Sequence, residues 1–212
     1  MSRAAVRHLA QDGAWTALIG RIGRPRLGIE RERSPYEALM RAIAHQQLHG
    51  TAARAILARF DALYSEPGFP APERVLGTSE AALRGCGFSA AKIACLREIS
   101  SRALDGTVPT RRQAARLPDS ELIERLTGIR GVGRWTVEML LIFTLGRPDV
   151  LPVDDFGVRD GYRALYALDE QPRPRDLATI GEAWAPYRSF AAWYLWRASD
   201  EAKQAKQPTS RA

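Results

Sequence analysis

At 212 residues, with 45% hydrophobic and 26% charged side chains, the chain suits one large domain or two small lobes and has the composition of a soluble globular protein. Its net charge of +7 favours polyanionic partners, nucleic acid before an anionic membrane surface, and much of that charge is arginine, whose planar fork suits phosphate. Two cysteines, Cys86 and Cys95, argue against a four-thiolate zinc or iron–sulfur site and a disulfide scaffold, and read as reduced thiols of a cytoplasmic protein; the N-terminus lacks the apolar core of a signal peptide, and no run is long and apolar enough to span a membrane.

In chain order, residues 1–33 read as an N-terminal helix and a charged, loop-like linker packing on the main body. Ser34-Pro35-Tyr36-Glu37 marks a helix start, with serine at the cap, proline in the first turn and glutamate three residues on. Leu39, Ile43 and Leu48 follow at near-helical spacing, Gly50 weakens the pattern, and Ala53, Ile56, Leu57 and Phe60 resume it. Thr78-Ser79-Glu80 and Asp119-Ser120-Glu121 mark further starts, and between them a turn leads into an amphipathic helix that stops at Gly106. No run alternates with period two for long enough to make a sheet, so the expected class is all-α, without internal repeats. Residues 199–212 are polar, lack apolar anchors and read as a flexible tail.

Gly128-Ile-Arg-Gly-Val-Gly-Arg-Trp-Thr136 interrupts this pattern between two helices, one ending near Leu126 and one beginning near Arg134. Gly131 and Gly133 permit left-handed backbone and close approach of a ligand, and the second helix begins with unpaired N–H groups. With the charge of Arg134 and the hydroxyl of Thr136, the segment reads as a helix–hairpin–helix that cradles a DNA phosphate without reading bases. A plain tight turn between core helices is the competing reading. Further on, Asp154 and Asp155 precede a helical run, where one of them serves as the N-cap. Two adjacent carboxylates near a DNA-approaching surface repel phosphate and so point to a second role. His45 and His49 are four apart but lack the further ligands of a metal site.

Leu126 to Leu140, followed by Asp155, resembles the helix–hairpin–helix DNA glycosylase superfamily that includes endonuclease III, and within it the DNA-3-methyladenine glycosylase II family. "GVGRWT", "LPVDDFGVRD", "RAIAHQQLHGTAARAI", "GFSAAKIACLREISSRALDGTVP" and "YRSFAAWYLWR" carry the likeness in order, over residues 34–198. The resemblance implies two helical lobes with the active site in the cleft between them. It also implies a DNA repair enzyme that flips an alkylated base, such as 3-methyladenine or 7-methylguanine, out of double-stranded DNA and hydrolyses its N-glycosidic bond. It places the catalytic carboxylate on Asp155 and the base pocket on Trp135, Phe156 and Trp196. The DNA wedge falls on Gln47 or Leu48. Strand-cutting members carry a lysine where this chain has Trp135, so the resemblance implies a monofunctional enzyme that leaves an abasic site. Backbone carbonyls of Thr127, Ile129 and Val132 match those that hold a monovalent Na+ or K+ at the hairpin. No cofactor is required, no iron–sulfur cluster is expected, and the N-terminal β-domain of longer relatives is not expected. The expected protein is a monomer, cytoplasmic and nucleoid-associated in a bacterium, with no membrane partner. The alternatives are a glycosylase for deaminated or oxidised bases, and a non-catalytic DNA-binding module.

Overall fold

A computed structural model describes residues 2–48, 50–65 and 67–206. Among them every regular element is helical, as expected, and the chain divides into two compact units, residues 30–145 and residues 1–29 with 146–212.

In the unit of residues 30–145 the starts marked at Ser34 and Ser79 carry side-chain caps, and α9 begins at the marked Asp119 without one. Helix α3 (Pro35–His45) begins where the Ser34 hydroxyl accepts the Glu37 N–H at 3.1 Å. Then come α4 (Gly50–Asp61), α5 (Pro72–Gly77), α6 (Glu80–Gly85) capped by Ser79, α7 (Ala90–Leu104) capped by Ser89, and α8 (Arg111–Ala114). Helix α9 (Asp119–Thr127) and α10 (Arg134–Met139) flank the hairpin, and α10 runs into one π turn, Leu140–Thr144. Leu39, Ile43, Ile99, Leu122, Leu126 and Leu141 are fully buried together and form the core. Removing such side chains from water is what holds short helices that would be marginal alone. The Arg111 guanidinium donates to the carbonyls of Glu30, Arg33 and Thr144, which pins the entry of the unit to its exit.

The other unit joins α1 (Ser2–Leu9) and α2 (Gly13–Ile22) to α11 (Phe156–Leu165), α12 (Pro174–Ile180), a 3-10 turn at Gly181–Trp184 and α13 (Arg188–Lys206). Trp15 and Tyr194 are buried edge-to-face with centroids 6.3 Å apart, and Trp184 packs edge-on against Trp15 at 5.3 Å. Helices α11 and α13 pack in direct backbone contact at Gly161, where a Cβ would lie 1.8 Å from the Leu195 carbonyl oxygen.

Two expected boundaries are corrected. Residues 1–33 hold two helices rather than one, and residues 1–29 supply Trp15 and Leu18 to a core shared with the C-terminal helices. The segment 199–206 is helix, not tail: Ser199 is 1% exposed and its hydroxyl donates to Asp160 Oδ2 at 2.8 Å. The anchor is polar, and a search for apolar anchors passes over it. Residues 207–212 of the expected tail lie outside the described residues, as does His49.

Candidate active site

The candidate residues fall into two clusters, one in each unit. In the C-terminal cluster, Asp155 is the N-cap of α11, so the capping role expected of one aspartate falls on the candidate catalytic one. Its Oδ1 accepts the Val158 N–H at 2.9 Å and the Trp196 indole N–H at 2.9 Å. The first bond follows from helix-start geometry; the second needs α13 laid against α11. Gly157 makes room for it, since a Cβ there would come within 2.8 Å of Trp196 Cδ1. Asp155 is left half-buried beside an exposed neighbour: Phe156 is 60% exposed, with the Lys203 ammonium 5.8 Å from its ring centroid. The structure therefore brings Asp155, Phe156 and Trp196 together, and joins Trp196 to the carboxylate through its N–H.

The second cluster is the hairpin, the turn that carries the wedge candidates and a cavity between α3, α4 and α10. Gly131 stands at φ 82, and a Cβ on it would lie 2.4 Å from Cys95 Sγ, so the fold itself requires glycine there. Gly133 has φ −87 and nothing within 4 Å of a Cβ, so no neighbour in the protein demands glycine at that position. Arg134 extends outward, and its Nε donates to Glu138 Oε1 at 2.9 Å. Thr136 is 4% exposed, in the first turn of α10 with Leu140 one turn on, and it borders the cavity beside this turn. Of the three carbonyls matched to a cation site, that of Ile129 already accepts the Val132 N–H at 3.0 Å and keeps one lone pair for an ion. No group of three His, Cys, Asp or Glu side chains that could hold a metal occurs among the described residues, and α3 ends at His45.

The wedge candidates sit at the end of α3. Gln47 is held at φ 58, in the left-handed region, and Leu48 is 40% exposed. An open cavity of about 850 Å³ adjoins Gln47, lined among others by Trp135, Met139, Phe143, His45 and Arg54. Trp135 is 45% exposed, so its ring forms an accessible wall. Partial burial, then Arg54, Lys92, Arg33 and Arg41, push the His45 imidazole below its ordinary value and favour the neutral ring. Arg54, Met139 and Phe143 were not singled out as site residues from sequence, and His45 was weighed only with His49. Nothing in their local pattern marks them, because they become neighbours only when α3, α4 and α10 pack.

The model of the HhH-GPD superfamily of base excision DNA repair proteins matches residues 40–186. DNA-3-methyladenine glycosylase 1 of Schizosaccharomyces pombe is 44% identical over 208 residues, 97% of this chain and 91% of that protein. Among solved structures, the S. pombe 3-methyladenine DNA glycosylase in complex with abasic DNA superposes with a TM-score of 0.84 at 46% identity, covering 93% of this chain and 97% of the other. A DNA-3-methyladenine glycosidase from Bacillus halodurans superposes with a TM-score of 0.83 at 34% identity, covering 93% and 89%.

Proposed function

The chain belongs to the HhH-GPD superfamily of base excision DNA repair proteins, and we propose on that premise that it excises alkylated bases from DNA, with Asp155 as the catalytic carboxylate and without cutting the strand. The observation that carries the assignment is the carboxylate itself: half-buried, capping a helix, and fixed through one oxygen by Val158 and Trp196. A carboxylate held in one rotamer beside C1′ stabilises the positive charge that develops there as the glycosidic bond lengthens. The leaving base takes the bonding electron pair and thereby cancels the charge that alkylation placed on it. Water adds to C1′ and releases a proton, with Asp155 orienting the attack.

The exposed ring of Trp135 beside the cavity suits stacking on a flipped, electron-poor base. At the same position a lysine would supply the amine for a covalent Schiff base, and an indole has none. Gly133 and Arg134 would meet the sugar–phosphate backbone. The carbonyls of Thr127, Ile129 and Val132 would hold a Na+ or K+ that supplies positive charge toward a phosphate. Gln47 or Leu48 would fill the gap left by the flipped nucleotide.

Release of free base from methylated duplex DNA tests the reading. Wild type is expected to release it and Asp155→Asn to slow release by about a hundredfold or more. A mutant as fast as wild type refutes the assignment to Asp155. Borohydride treatment during turnover is expected to trap no covalent protein–DNA product; a trapped product refutes the monofunctional reading.

A further inference from the structure

The hairpin and the wedge turn act on DNA separately in the reading above, yet a set of hydrogen bonds outside that reading ties them together. Gln46 closes α3: its N–H still bonds back to the Ala42 carbonyl at 3.2 Å, but its own φ −56 and ψ 131 turn the chain out of the helix. Its side-chain amide donates to the Gly131 carbonyl at 3.0 Å, across 85 residues of chain. Lys92 holds the same turn from α7, donating to the carbonyls of Ala44 at 2.9 Å and Gln46 at 2.8 Å. These two acceptors are at the carbonyl end of a helix, where partners must come from elsewhere. Three residues further along α7, Cys95 packs so closely under Gly131 that no Cβ fits between them. One helix therefore backs both the wedge turn and the hairpin, and one glutamine side chain bridges them. Directly after that glutamine the backbone enters the left-handed conformation at Gln47.

We propose that Gln46 is a positioning residue that couples the hairpin to the wedge turn, so that seating the hairpin on a phosphate sets the depth to which Gln47 and Leu48 enter the duplex. The proposal rests on the hairpin and wedge roles given above. The chemistry selects glutamine: the acceptor is a carbonyl, so a donor is needed at this reach. A glutamate of equal length would present an acceptor to an acceptor, and a methionine would keep the length with no donor. Lys92 acts through the backbone of the turn and sets its height against α7.

The test separates base flipping from the rest of the reaction. Single-turnover base release is measured on two duplexes with the same methylated base, one paired normally and one opposite an abasic site, where the base leaves the stack with less help. Affinity for undamaged duplex and thermal stability are measured alongside. Gln46→Met is expected to slow release about tenfold from the paired duplex and less than about twofold from the other. Its affinity for undamaged DNA is expected to equal that of wild type. The ratio of the two rates cancels any loss of folded protein, and Gln46→Glu provides a second variant read on the same ratio. An unchanged ratio in both variants overturns the proposal while leaving the glycosylase assignment standing. A wild type that releases no methylated base from either duplex defeats that assignment first, so the two failures are distinguishable.

Discussion

Two residues in these clusters have partners that change what they are expected to do. Trp196 matches a base-pocket aromatic, but its indole N–H is spent on Asp155. Trp196→Phe keeps a ring and removes the donor. We expect base release to fall about tenfold with little change in melting temperature, since one hydrogen bond to a charged group is lost. Full retention of single-turnover rate would mean that only the ring matters. The hairpin glycines divide in the same way. Gly131→Ala places a methyl 2.4 Å from Cys95 Sγ in a left-handed backbone and is expected to cost roughly 1–3 kcal/mol of stability, seen as a lower denaturation midpoint. Gly133→Ala meets nothing in the protein and is expected to leave the midpoint unchanged while weakening binding to all duplex sequences alike. Equal affinity after that change would favour a plain turn over a phosphate cradle.

At the scale of elements, the contact between α11 and α13 carries Asp155 and Trp196 and is held by a buried polar network. Asp160 accepts from Ser199 at 2.8 Å, Arg163 at 3.0 Å and Gln171 at 3.4 Å. Burial alone would raise its carboxyl; these donors, Ser199 first, reverse that and hold it below the usual carboxylate range. A carboxyl depressed in the folded state stabilises the fold above the unfolded value, near pH 4, and that contribution disappears as pH falls through the folded value. Asp160→Asn is therefore expected to lower stability at pH 7 and to flatten its decline in acid, measured by denaturant midpoints between about pH 2 and pH 7. An unchanged acid limb would mean that other carboxylates dominate. The starts of α3 and α6 were legible because Ser34 and Ser79 are local chemical marks. Helix α5 was not, since it has six residues and no side-chain cap, and α8 was passed over although Thr110 and Gln113 form a capping box at its start.

Over the whole molecule, a charge of +7 predicts that affinity for undamaged duplex falls steeply with salt, with a log–log slope of about −0.9 for each phosphate neutralised. Fluorescence anisotropy across a salt series measures it, and a flat response would remove phosphate contacts as the source of binding. The same scale explains the boundary corrections. Residues 1–29 share a unit with 146–212, so the chain leaves one core, builds another from 30–145 and returns. No composition shift marks that return.

What the sequence determined by itself is local: a helical class, most helix starts, a glycine hairpin before Arg134, an aspartate at a helix start and an indole at position 135. Each is written in residues a few positions apart, where steric and capping preferences act without the rest of the chain. The tertiary structure alone decided which groups meet. Asp155 and Trp196 are 41 residues apart, Gln46 and Gly131 are 85, and the glycines that admit such contacts answer to neighbours no local pattern names. Hydrogen bonds reach about 3 Å, so their partners are chosen by how helices pack.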